Sequence, residues 1–111
     1  MKRVERVEQM SEILAKVQKF LDAFELALDE YKNSQKLIKK LSRYYSSKIW
    51  LSDYEADESG KIPREIGEGK SLRAINRGAL SEDGIYNAIW LNKQLACDMK
   101  KLSNLICKEQ K

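Results

Sequence analysis

The chain has 111 residues, enough for one domain, and is 42% apolar and 34% charged. Lys and Arg number 21 against 17 Asp and Glu, a net charge of +4, with a sequence pI of about 9.0 and a mean hydropathy of −0.60. This composition excludes a wholly disordered chain and a membrane span, since no run approaches the roughly 18 to 20 uncharged apolar residues that crossing needs.

The start, Met1-Lys2-Arg3-Val4-Glu5-Arg6, has no apolar h-region, so no secretory signal is expected. Val7, Met10, Leu14, Val17, Leu21, Phe24, Leu28 and Tyr31 then recur at alternating steps of three and four, a heptad seam of the coiled-coil kind. Ile13, Phe20 and Ala27 lie beside the seam and widen it, which suits a helix packed against two neighbours. The pattern predicts a helix over 4–31, about 42 Å long at 1.5 Å per residue, with Leu21 and Phe24 buried. At Lys32-Asn33-Ser34 the apolar phase shifts to Leu37, Leu41 and Tyr44, and the propensity is weak. A turn or kink is read there, followed by a second helix over 34–48; one continuous helix to about residue 46 is the alternative.

All five glycines and the single proline fall between Gly60 and Gly84, so the strongest helix breakers are confined to the middle of the chain. Ser52-Asp53-Tyr54-Glu55 has the form of a capping box, and a short helix could run from there to near Gly60. Residues 60–80 read as irregular, with a helical turn around 70–76. Ser81 is the expected N-cap of the last helix, its hydroxyl accepting from the N–H of Asp83 or Gly84. Ile85, Ile89, Ala96, Met99, Leu102 and Ile106 form that helix's stripe over 82–108. No alternating strand pattern is convincing. The expected fold is therefore all-α, a three-helix bundle or long helical hairpin with an irregular segment near 60–80, in one domain over 1–111.

The modest net charge hides a local dipole. Residues 49–60 carry four acidic groups and no basic one, net −4, whereas residues 61–80 carry five basic and two acidic groups, net +3. Mutual neutralisation on one surface is the simpler reading, and a docking site for a charged partner is the other.

Two blocks carry a family resemblance. The segment Trp50-Leu51-Ser52-Asp53-Tyr54-Glu55-Ala56-Asp57-Glu58-Ser59-Gly60, followed by Pro63, is one. Gly78-Ala79-Leu80-Ser81-Glu82-Asp83-Gly84-Ile85-Tyr86-Asn87 is the other. With the helical N-terminus they resemble a small bacterial family known as domain of unknown function 4298, whose members are short cytosolic proteins of about this length. The resemblance implies bacterial origin and a single helical domain, but no mechanism. Trp50, Asp53, Tyr54, Asp57, Asp83 and Tyr86, all within the two blocks, are the candidate interaction residues. Their aromatic members, with Trp90, either pin the irregular segment onto the helices or stack on a ligand.

Catalytic chemistry finds little support. Histidine is absent, which removes the Ser-His and Cys-His nucleophile pairs and the commonest metal ligand. An EF-hand loop begun at Asp53 places Glu58 where glycine is needed and Arg64 where the bidentate Glu is needed. Gly69-Lys70-Ser71 ends like a phosphate loop, but Arg64 stands at its first glycine. Asp53, Asp57 and Asp83 sharing a hard cation, or acting as an acid–base pair, is a minor reading beside capping and solvation. Cys97 and Cys107 sit about 15 Å apart along one helix, too far for a disulfide, and read as reduced cytosolic thiols. No catalytic residue, metal or cofactor is expected.

Two basic strips, Lys36, Lys39, Lys40 and Arg43 with Tyr44 and Tyr45 behind them, and Lys70, Arg73 and Arg77 on a shared helical face, leave nucleic-acid binding as an alternative. The leading expectation is a non-catalytic, cytoplasmic helical protein that works through protein–protein contacts. Its partner is itself, as a homodimer, or another protein, and not a membrane. Met10, Ile13, Leu14 and Val17 are the candidate oligomer interface, because so short a chain has little with which to cover the N-terminal seam.

Overall fold

The computed structural model describes residues 2–109. Three α-helices dominate: α1 over Lys2–Tyr45, α2 over Lys48–Glu58 and α3 over Gly84–Glu109. The fold is all-α, as the confinement of Gly and Pro to the middle of the chain implies. No helix among the described residues is long and apolar enough to cross a membrane. The chain divides into two compact units, Met1–Leu37 and Ile38–Lys111.

The described part of the first unit is helix throughout. The break expected at Lys32-Asn33-Ser34, with a second helix starting at 34, is not found: α1 runs through to Tyr45 as one helix, as the continuous alternative to about residue 46 has it. Asn and Ser cost a helix only a few tenths of a kcal/mol each, and a change of apolar phase removes no backbone hydrogen bond. Ser34 fits the helix by donating from its hydroxyl to the Tyr31 carbonyl at 2.7 Å. The expectation that Leu21 and Phe24 are buried fails: both are more than half exposed. Among its described residues this unit contains no second element that could cover them.

In the second unit, α1 gives way to α2 at a serine joint. Ser47 leaves the helical region at φ −91°, ψ 160°, and its hydroxyl donates to the Tyr44 carbonyl at 2.6 Å. The same oxygen accepts the Trp50 N–H at 3.3 Å, which makes Ser47 the N-cap of α2. The capping box read at Ser52 is therefore inside the helix. A hydroxyl with both a donor and an acceptor role at the true joint outweighs the S-x-x-E pattern five residues on. The C-terminal end of α2 is a Schellman motif. Lys61 N–H donates to the Ala56 carbonyl at 2.9 Å and Gly60 N–H to the Asp57 carbonyl at 3.0 Å, with Gly60 at φ +74°.

The segment between α2 and α3 is irregular, as expected, apart from short pieces. A 3-10 turn at Gly69–Ser71 lies between two antiparallel strands, β1 (Glu65–Ile66) and β2 (Arg73–Ala74), with Glu65 opposite Ala74. Two residues per strand are too few for alternation to register in a sequence. A second 3-10 turn, Gly78–Leu80, is where both α2 and α3 make contact. Ile85, 4% exposed, is the one buried apolar residue among the described residues.

Candidate functional site

The face of α2 that carries Trp50, Tyr54 and Asp57 has steps of four and three, so the three side chains share one side of the helix. All three reach the segment 77–82. Trp50 Nε1–H donates to the Ala79 carbonyl at 2.8 Å. The Tyr54 hydroxyl donates to Glu82 Oε1 at 3.0 Å. Arg77 donates to Asp57 Oδ1 at 2.7 Å, an ion pair between half-buried side chains. One ion pair, Arg77 with Asp57, thus joins the basic loop to the acidic knot, which is the direction of the simpler charge reading.

An aromatic row backs these links. The Tyr54 ring stacks on Trp50 at 5.2 Å, and Tyr45 meets Trp50 in an edge-on arrangement at 4.8 Å. Tyr44 donates its hydroxyl to Asp53 Oδ2 at 2.7 Å, tying the end of α1 to α2. Burial, the bond to Asp53 and that carboxylate's charge together push the Tyr44 phenol from its ordinary 10.0 up to about 12. Tyr54 is also raised, first by its bond to Glu82 and then by burial and the charges of Glu58 and Glu82.

Of the six candidate interaction residues, Trp50, Tyr54 and Asp57 therefore converge on one segment. Asp53 turns to Tyr44 instead. Asp83 accepts the Asn87 N–H at its backbone carbonyl, opening the α3 ladder, and Tyr86 is exposed on α3. The expected hydrogen bond holds, the Ser81 hydroxyl accepting the Gly84 N–H at 3.1 Å while donating to the Gly78 carbonyl at 2.9 Å, but α3 begins at Gly84 and not at 82, because residues 82–83 form a turn. Tyr44, Arg77, Ala79 and Glu82 complete the arrangement. Arg77 was visible in the sequence only as one of a basic strip, and Ala79 enters through its backbone, which no side-chain pattern can signal.

Two sequence readings are corrected. Lys70, Arg73 and Arg77 do not share a helical face: they lie in the first 3-10 turn, in β2 and in the following loop. The Asp53, Asp57 and Asp83 carboxylates do not converge, since Asp53 holds Tyr44 and Asp57 holds Arg77. No group of three or more His, Cys, Asp or Glu among the described residues is placed to hold a metal ion. An open cleft of about 560 Å³ beside the links is lined by Tyr54, Asp57, Arg77 and Glu82 among others. Each of these polar groups is already engaged by another, so the arrangement works as a clamp that fixes segment 77–82 on α2.

The second candidate surface is the seam of α1. Val7, Met10, Leu14, Val17, Leu21 and Phe24 are between 44% and 61% exposed, and Ile13 and Phe20 beside them are exposed as well. A shallow apolar groove of about 310 Å³ lies along Arg6, Val7, Met10, Ser11 and Leu14.

No curated protein and no solved structure matches this chain. A family model described as Domain of unknown function (DUF4298) matches residues 7–102 and takes in both halves of the α2 clamp together with most of the α1 seam. The chain belongs to that family.

Proposed function

We propose that this is a non-catalytic helical protein that acts through protein–protein contacts and associates with itself through the N-terminal seam of α1. One observation carries the reading: a regular apolar stripe from Val7 to Phe24 lies open to solvent on α1. Contiguous apolar patches on a chain rimmed by charge mark interaction surfaces. A two-fold pairing in which the stripe meets itself covers it with a single surface. Met10, Ile13, Leu14 and Val17 are the residues assigned to the interface. A cytoplasmic setting is supported by Cys97 and Cys107, which are exposed and unpaired. The family resemblance supports a bacterial origin.

Light scattering on the purified chain at micromolar concentration tests the reading. A mass twice 12.9 kDa is expected, and 12.9 kDa across that range refutes self-association. The alternative, a basic nucleic-acid-associated regulator, is favoured by the exposed strip Lys36, Lys39, Lys40 and Arg43. Retention on nucleic acid that falls steeply with salt is its signature.

A further inference from the structure

We infer that the second copy lies antiparallel on α1, with the two-fold axis passing between Leu14 and Val17; this rests on the self-association proposed above. Heptad positions give the first argument. With Val7, Leu14 and Leu21 at a and Met10, Val17 and Phe24 at d, the g positions are Ile13, Phe20 and Ala27, and the e positions are Ser11, Gln18 and Glu25. The apolar widening is therefore on one side of the seam only. In a parallel pair each g residue faces an e residue, which would set Ile13 against the partner's Gln18 and Phe20 against the partner's Glu25. In an antiparallel pair g faces g and e faces e. Ile13 then meets the partner's Phe20, and Ser11 meets the partner's Gln18, so at the middle of the seam apolar covers apolar and polar covers polar, while at its ends Ala27 meets the partner's Arg6 and Glu25 the partner's Val4.

Charge gives the second argument, independently. Residues 2–6 hold Lys2, Arg3 and Arg6 against Glu5, net +2. Residues 22–30 hold Asp22, Glu25, Asp29 and Glu30 and no basic group, net −4. A parallel, in-register pair sets like charge against like at both ends. The antiparallel pair brings 2–6 opposite the partner's 25–29, and like charges across an interface are a strong selector of orientation. The register follows from the seam itself. Placing the axis between Leu14 and Val17 pairs every a with a d: Val7 with the partner's Phe24, Met10 with the partner's Leu21, and Leu14 with the partner's Val17.

Thiol cross-linking of the full chain tests this. In a background with Cys97→Ser and Cys107→Ser, Val7→Cys and Phe24→Cys variants are treated with a short bismaleimide, with helix content checked by circular dichroism. In the antiparallel dimer two copies of position 7 are 17 residues apart along the axis, about 26 Å, beyond the reagent's reach. Each variant alone then stays uncoupled, and an equimolar mixture couples into a mixed dimer. Self-coupling of Val7→Cys alone overturns the orientation. A dimeric mass with no coupling in the mixture overturns the register and leaves self-association standing, whereas a monomeric mass overturns both. On the otherwise natural chain, Arg3→Glu/Arg6→Glu turns residues 2–6 from net +2 to net −2 opposite the partner's acidic 25–29 and weakens the antiparallel dimer about tenfold at low salt, whereas a parallel pair, with 2–6 facing 2–6, would be no weaker. An affinity unchanged by the two substitutions counts against the antiparallel arrangement.

Discussion

Trp50 closes onto Ala79, 29 residues further along the chain, through an indole N–H bond to the backbone carbonyl. This bond joins the two sequence blocks, 50–60 and 78–87, on which the family resemblance rests, both inside the matched range. It also explains why one of them can be rich in small residues: the indole needs an accessible carbonyl, and the Gly78–Leu80 turn presents one.

Trp50→Phe keeps an aromatic ring beside Tyr45 and Tyr54 but has no donor for Ala79. A loss of about 1 kcal/mol is expected, the usual net worth of such a bond. Trp50→Ala, which also removes the ring contacts, should cost about 2 kcal/mol or more. Urea denaturation followed by circular dichroism separates the two, and equal losses would mean the ring contributes nothing.

Gly60 and Gly84 are needed for different reasons, and alanine distinguishes them. Gly60 sits at φ +74° with open space where a Cβ would go, so Gly60→Ala should cost only the left-handed backbone penalty of about 1 kcal/mol. A Cβ at Gly84 would collide with the Ser81 hydroxyl and press on the Gly78 carbonyl. Gly84→Ala should therefore disturb the whole cap and cost more than Gly60→Ala in the same denaturation assay.

Ser81→Ala removes the acceptor for the Gly84 N–H. Stability should fall by about 1 kcal/mol, and hydrogen exchange at Gly84 should quicken while mid-helix amides of α3 stay protected. Unchanged exchange at Gly84 would mean that the cap is idle.

The tyrosines set a pH limit. Tyr44 is raised from 10.0 to about 12, so the folded chain holds this proton more tightly than the unfolded one. Its contribution to stability is complete below pH 10 and is lost as pH rises toward 12. Ultraviolet titration should show late ionisation of Tyr44, with Tyr54 also raised. Tyr44→Phe should remove the latest step, and a native chain whose tyrosines all ionise near the ordinary value would refute the Tyr44–Asp53 bond.

Helix content was legible because Gly and Pro are confined to one stretch and the flanks carry a helical period. The α1 seam was legible in phase but not in burial: periodicity identifies which residues share a face, and nothing in it says what covers that face. Ser81 was legible because a cap is local chemistry. The clamp was only half legible. Trp50, Tyr54 and Asp57 stood out by type and spacing, but their partners Ala79, Glu82 and Arg77 lie 20 to 29 residues away, and no local rule pairs them. Ser47 was missed because the true N-cap lacked the acidic residue that made Ser52 conspicuous.

Ile85 as the sole buried apolar side chain among the described residues has a calorimetric consequence. The heat-capacity increment of unfolding tracks newly wetted apolar surface. A single copy of this chain has little such surface to expose, so its melting endotherm should be broad and its baseline step small for a 111-residue protein. Any assembly that covers the α1 stripe adds that surface to the transition. The step should then grow, and the melting temperature rise, with protein concentration.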